Sequence, residues 1–366
     1  MSGAPAGLAA IFARLIASTG PISLMHYMGE SNARYYASRD PLGTAGDFVT
    51  APEISQMFGE LIGLWLADIW TRAGRPERVH YVELGPGRGT LARDALRVAA
   101  RQGLTPAVHL VEGSGALRAV QQAALPSAQW HDDLGSVPSD GPLLVVANEF
   151  FDALPVRQLV MTGSGWRERM VGLEQGRLVP VAGSVPMDAA VPEARRQAAV
   201  GTILETCPGA AAVTEEIARR LAAQGGAALL IDYGYDAPRY GASLQAVRAH
   251  RKVDPFDAPG ECDLTALVDF AALAEVAQAR GARWLGTVGQ GSWLRALGID
   301  MRAAALVAAA PEQAAAVQAA NERLTGEDQM GQLFKVMGLA APGWPDGAGF
   351  SQAREPVDEC SPWSDF

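Results

Sequence analysis

His80-Tyr81-Val82-Glu83-Leu84-Gly85-Pro86-Gly87-Arg88-Gly89-Thr90 is the stretch on which the fold turns. A short apolar strand pattern runs into three glycines spaced G-x-G-x-G. A helix is predicted over 90–102, stopped by Gly103. Glycines at that junction let the backbone turn tightly and approach a ligand, and the helix start adds unsatisfied N–H groups. Strand, glycine loop and helix in that order form the context of a nucleotide- or nucleoside-binding turn. The dinucleotide fingerprint sets its third glycine one residue later, with room for a pyrophosphate. Glu83, two residues before Gly85, would repel a pyrophosphate and suits a cationic amine, such as the amino group of a methionine moiety. A nicotinamide oxidoreductase is therefore the weaker alternative.

Outward from this loop, short apolar runs alternate with helical ones. Strands are predicted over 108–112, 143–147, 227–231 and 334–339, and a helix over 114–124. The run Leu143-Leu144-Val145-Val146-Ala147 is continuously apolar, as in a strand covered on both faces. The alternation predicts an α/β fold with a parallel, doubly wound sheet. Before it, residues 50–69 read as one helix, with Thr50 and Glu53 as a capping box and Pro52 in the first turn. Gly59 and Gly63, one turn apart, permit close approach of another backbone.

Two stretches interrupt the alternation. Residues 156–181 read as β-hairpins, and 240–291 as a long insertion with a helix over 270–280. An Ala-rich helix over 301–320 is broken at Pro311. The expected division is 1–72 as an N-terminal helical region and 73–155 as the first part of the core. Residues 156–226 form a hairpin and helical insertion, 227–350 the rest of the core with its insertion, and 351–366 a tail. The first helix is amphipathic, with Leu8, Ile11, Phe12, Leu15 and Ile16 on one face, and is read as docked on the body, with a targeting peptide as the minor reading.

The 366 residues are 49% apolar and 19% charged, an ordinary globular composition that disfavours disorder and coiled coil. A formal charge of −10 disfavours general nucleic-acid binding. Cys207, Cys262 and Cys360 lie far apart and give neither a zinc pattern nor a disulfide framework, which fits a reduced, cytoplasmic compartment. No apolar run approaches the ~18–20 residues of a membrane span. His26, His80, His109, His131 and His250 show no metal-ligand spacing. Arg239, Arg248, Arg251 and Lys252 form an acid-free stretch, read as solvated loop or as a docking surface for an acidic partner.

Three acidic clusters follow strand ends. Glu112 ends the second strand, where a carboxylate can accept ribose hydroxyls. Asp132-Asp133-Leu134 offers a carboxylate for an adenine amino group. Asn148-Glu149-Phe150-Phe151-Asp152-Ala153-Leu154-Pro155 follows the buried strand, facing the reactive end of a ligand. Together these favour S-adenosylmethionine (SAM), with S-adenosylhomocysteine as product. Methyl transfer needs alignment and a base, and no metal. Glu149 and Asp152, with Asn148, are the catalytic candidates: paired carboxylates can clamp a guanidinium and orient one nitrogen.

At these residues the chain resembles the MidA-like family of class I SAM-dependent methyltransferases, whose mitochondrial members are arginine methyltransferases and assembly factors for respiratory complex I. The matching segments are 46–56 (GDFVTAPEISQ), 58–60, 83–90, 148–155, 259–265 (PGECDLT), 290–291 and 330–336 (MGQLFKV). The resemblance implies a Rossmann-like core with helical and β-hairpin insertions forming a smaller lid. It implies SAM at Gly85, Gly87 and Gly89, with Glu112 on the ribose and Ser114 beside it. It also places Thr50, Pro52, Glu53 and Ser55 near the cofactor. The implied partner is a protein substrate bearing an arginine, a complex I core subunit. The implied compartment is bacterial cytoplasm, or mitochondrial matrix in a eukaryote. A non-catalytic SAM-binding assembly chaperone and a small-molecule methyltransferase remain as alternatives.

Overall fold

The structure, a computed structural model, describes residues 7–38, 50–248 and 251–350. Residues 1–6, Gly46-Asp47-Phe48-Val49, His250 and the tail 351–366 with Cys360 lie outside the described residues.

The main sheet has seven strands in one path: Arg283–Gly289, Phe334–Ala340, Gly226–Tyr235, Leu143–Asn148, His80–Leu84, Ala107–Val111 and Gln129–His131. Val268–Asp269 adds an eighth, parallel to the end of Gly226–Tyr235. Six strands of the path run in one direction, and Phe334–Ala340 alone is antiparallel to both its neighbours. Counted in chain order, the path reads 3-2-1-4-5-7-6 from the Gln129–His131 end. The order reverses between His80–Leu84 and Leu143–Asn148, and ligands of open α/β sheets bind at such a reversal, beyond the carboxyl ends of the strands.

The sheet is covered on both faces. Leu144 and Val146 enter the core against the helices Gln56–Arg72 and Thr90–Arg101. Leu143, Val145 and Ala147 enter the opposite core, under Pro208–Gln224 and Phe270–Ala279. All five are 0% exposed, which is why the run carries no polar alternation. Gln56–Arg72 and Thr90–Arg101 pack at backbone distance. A Cβ at Gly59 would stand 2.9 Å from the Asp94 Cβ, and one at Gly63 would run into the main chain of Ala95.

A second, antiparallel sheet of Ile22–Ser23, Arg157–Thr162, Gly165–Glu174, Arg177–Pro186 and Ile203–Thr206 contains the expected hairpins. A third joins Gln245–Arg248, Arg251–Val253 and Asp263–Thr265. Both share a core with the helices Leu8–Thr19 and Leu24–Ser38. Leu8, Phe12 and Ile16 are buried in it, while Ile11 is 40% exposed, so the apolar face of the first helix is narrower than its sequence suggests.

Three readings are corrected. Residues 50–69 form two helices, Ala51–Ile54 and Gln56–Arg72, because Ser55 is extended and its Oγ accepts the Met57 N–H at 3.2 Å. The capping box is absent: the Thr50 side chain makes no cap bond, and Glu53 turns instead to Thr90. The stretch 240–291 is not all insertion, since Phe270–Ala279 covers the main sheet and Arg283–Gly289 is one of its strands. Of the basic stretch, Arg248 pairs with Glu261 at 3.4 Å and Arg239 lies over the Tyr235 ring.

Candidate active site

A cavity of about 630 Å³ opens where the sheet order reverses. Its floor is the glycine loop. Gly85, Gly87 and Gly89 hold φ of +61°, +53° and +78°, values that L side chains avoid. Its walls are 112–117, the Asn148–Phe150 turn, Ala153 and Leu154, Thr50, Pro52 and Glu53, and Ala33 and Tyr36 from the helix Leu24–Ser38.

Four glutamates face it: Glu53, Glu83, Glu112 and Glu149, against one cation, Arg88, among the described lining residues. Glu83 is 2% exposed, and burial pushes its carboxyl up to about 8, opposed by the Tyr81 hydroxyl that donates to Oε2 at 2.5 Å. Glu112 is also raised by burial. It is held back by the Ser114 N–H at 2.7 Å on Oε1 and by the Gln121 amide at 3.2 Å on Oε2. Glu53 Oε1 accepts the Thr90 hydroxyl at 2.6 Å, tying the short helix to the glycine loop's own helix.

Glu149 is the strained residue of the site. Its φ is +51°, costly for a side chain with a Cβ. Its N–H donates to Ile231 O at 2.9 Å, and its Oε1 accepts the Ala51 N–H at 3.0 Å and the Asn148 amide at 3.3 Å. Oε2 has no hydrogen bond among the described residues. Burial pushes the carboxyl up to about 7, opposed by Ala51 and reinforced by Asp152. Asn148 lines the same wall, and its buried Oδ1 has no partner among the described residues. Behind the turn, Asp232 accepts the N–H groups of Phe151 and Asp152 on Oδ2 at 3.0 and 3.1 Å and that of Tyr233 on Oδ1 at 2.9 Å.

Six of the sequence candidates lie outside the cavity. Gly89 is absent from its lining and stands instead at the N-cap of the helix Thr90–Arg101. Ser55 is spent as a helix cap. Asp132 is 88% exposed and pairs with Arg118 at 2.5 Å. Asp133 accepts the Ser136 N–H at 2.9 Å and so closes a turn. Leu134 is buried in the core, its carbonyl held by Arg220. Asp152 is buried and bonded by Tyr233, and burial pushes its carboxyl up to about 6, so it borders the site from behind. Ser114 lines the cavity and also caps the helix Gly115–Ala124.

Sequence reasoning missed three things. Tyr36 and Ala33 line the cavity from a helix that carries no motif. Gln121 lies on the buried helix face one turn after Leu117, and a polar residue at an apolar position was the available signal. Each histidine reads by itself as an ordinary satisfied side chain, and the unseen part is that His80, His109 and His131 are satisfied by one another, in a chain across three strands. His80 Nδ1 meets His109 Nε2 at 3.0 Å, and His109 Nδ1 meets His131 Nε2 at 2.9 Å. Asp140 and Ser136 bond the two ends.

The donor set tests well against SAM, a cation at both its sulfonium and its ammonium. The cavity lines buried carboxylates whose ionisation a cation would restore, beside an orphaned amide oxygen on Asn148. Residues 61–288 match a family model described as "Putative S-adenosyl-L-methionine-dependent methyltransferase". The chain is similar to the mitochondrial protein arginine methyltransferase NDUFAF7 of Mus musculus, at 36% identity over 88% of this chain and 82% of that one. The Homo sapiens protein of the same name is likewise 36% identical, over 88% and 81%. Among solved structures, a Burkholderia thailandensis protein bound to S-adenosyl-homocysteine superposes with a TM-score of 0.80 at 30% identity, covering 95% of this chain and 94% of that one.

Proposed function

The chain belongs to the family of S-adenosyl-L-methionine-dependent methyltransferases, and we propose that it methylates an arginine side chain of a protein substrate. The observation that carries the acceptor class is the excess of carboxylates: four glutamates in one cavity suit two cations, SAM and a guanidinium. The apolar surface that Tyr36, Pro52 and Leu154 give the same cavity suits the aliphatic stem of an arginine.

SAM supplies an electrophilic methyl on its sulfonium, open to direct displacement. In this reading Glu83 receives the methionine ammonium, the glycine loop lets the backbone close on the cofactor, and Glu112 accepts the ribose hydroxyls. Thr50, Pro52 and Glu53 close the cavity beside them. Asn148 offers its orphaned Oδ1 as a further acceptor. Glu149, fixed through Oε1, presents Oε2 to the guanidinium, orients one nitrogen and takes the proton released as that nitrogen is methylated. Burial raises the Glu149 carboxyl toward neutral pH, and Asp152 reinforces the shift from outside the cavity.

We further propose that the substrate is a core subunit of respiratory complex I, met during assembly in the bacterial cytoplasm or the mitochondrial matrix. No helix among the described residues is long and apolar enough to cross a membrane. The test is methyl-proteomics of wild-type and deletion strains, with complex I core subunits followed by mass spectrometry. The expected outcome is an arginine methyl group lost on deletion. It should return with the wild-type chain and stay absent with Glu149→Gln, which still binds SAM. Unchanged arginine methylation with intact SAM binding would replace this reading with that of a scaffold.

A further inference from the structure

Gln121 is 0% exposed and does not line the cavity, yet it bonds two residues that do, Gly87 and Glu112. Its Nε2 donates to Gly87 O at 2.7 Å and to Glu112 Oε2 at 3.2 Å. Its Oε1 accepts the indole N–H of Trp130 at 2.8 Å. An indole nitrogen only donates, and a main-chain carbonyl and a carboxylate only accept. One orientation of the amide therefore satisfies all three neighbours. Turned over, it would set N–H against N–H at Trp130 and oxygen against oxygen at Gly87 and Glu112. Three elements meet on this one side chain: the glycine loop, the end of the strand Ala107–Val111, and the strand Gln129–His131 that carries Trp130.

We infer that Gln121 is a positioning residue for the cofactor: keyed by Trp130, its amide sets the Glu112 carboxylate at a fixed offset from the glycine loop, so that both engage one ribose. The inference rests on the assignment of Glu112 to the ribose. A half-buried glutamate held through one oxygen alone could still turn the other to several places. The Ser114 N–H fixes Oε1, and Gln121 fixes Oε2.

The test uses the full chain and two probes, S-adenosylhomocysteine and its 2′,3′-dideoxy counterpart, with both Kd values read by calorimetry. A hydroxyl bonded to a carboxylate should make the wild type prefer the full ribose by roughly 10- to 100-fold. Glu112→Gln is expected to reduce that preference to under about threefold; a preference kept in full would remove Glu112 from the ribose, and the inference with it. Gln121→Leu, similar in size and still carrying Glu112, is expected to reduce the preference similarly. Loss in Glu112→Gln with full retention in Gln121→Leu would overturn the role of Gln121 and leave the ribose assignment standing. Trp130→Phe keeps the ring and removes only the N–H that keys the amide. It should lower the preference by about threefold or more, and it decides the question should Gln121→Leu not fold. A purely structural role would lower the affinity of both probes equally and leave their ratio unmoved.

Discussion

Glu83 shows how a single carboxyl can link cofactor affinity, stability and pH. With its carboxyl at about 8 in the free protein, Glu83 is mostly protonated at pH 7. An ammonium placed beside it favours the ionised form, so SAM binding at pH 7 should release a substantial fraction of a proton from this residue. Calorimetry in two buffers of different ionisation enthalpy reads that proton, and Glu83→Gln should abolish the Glu83 contribution while weakening binding by about tenfold or more. The stability sign runs the other way. A carboxyl raised from 4.5 to about 8 binds its proton more tightly when folded, so its contribution is fully present below pH 4.5 and is lost as pH rises toward 8. The Glu83→Gln variant should therefore melt higher than the wild type at pH 8 in the absence of cofactor, and an equal or lower melting temperature would contradict the buried, protonated state. The position of Glu83 was legible because it precedes a glycine loop at the end of a strand. Asp132 and Asp133 carry the same kind of signal but are consumed locally, one by Arg118 and one by the turn it closes. Adjacent aspartates are as good for loops as for ligands, and only the fold separates the two uses.

Elements follow the same rule: strong periodicity was readable, and the joints between elements were not. The continuous apolar strand at 143–147 and the glycine-spaced helix at 59–63 both appear as their sequences imply. The break at Ser55 was hidden, because the apolar period passes through it, while the serine's cap and the turn of Glu53 toward Thr90 depend on tertiary partners. Gly63 gives a direct test of the helix pair. An added methyl meets the Ala95 main chain, which cannot swing aside, so Gly63→Ala should destabilise by about 1–3 kcal/mol in urea unfolding despite the better helix propensity of alanine. The histidine chain is an element-scale feature too, since it exists only when three strands lie in this order. Burial, with His80 and His131 alongside, pushes His109 down to about 4. Its stabilising contribution is present above pH 6.5 and lost as pH falls toward 4. An NMR titration should find His109 neutral at pH 5.5, and a protonated ring there would contradict the chain of bonds.

At the scale of the whole molecule, the site is a seam between a parallel sheet and what is packed over its strand ends. The sheet was readable as alternation. The covering parts were harder, because their strands are short, amphipathic or at an edge. Arg283–Gly289 reads as part of an insertion because it is only partly buried, with Trp284 40% exposed, and has no apolar run. Asn32 joins the covering parts to the core. It is 6% exposed on the helix Leu24–Ser38; its Nδ2 donates to Ala153 O at 3.0 Å and Leu264 O at 2.8 Å, and its Oδ1 accepts the Leu264 N–H at 3.0 Å. One amide thus ties the cavity-lining helix to the loop after Glu149 and to the strand Asp263–Thr265. Asn32→Ala leaves these backbone groups short of a partner, at about 1–3 kcal/mol for each buried one. In the proposed reading the glycines and Glu112 hold the cofactor, and Tyr36, one turn further along the helix of Asn32, lines the acceptor side of the cavity. The variant should lose about 2–4 kcal/mol in urea unfolding and bind SAM within about threefold of wild type. Its methyl transfer should fall by about tenfold or more, carried by the KM for the protein substrate. A loss confined to SAM affinity would mean that the covering helix serves the cofactor, and would move the acceptor to another face of the cavity.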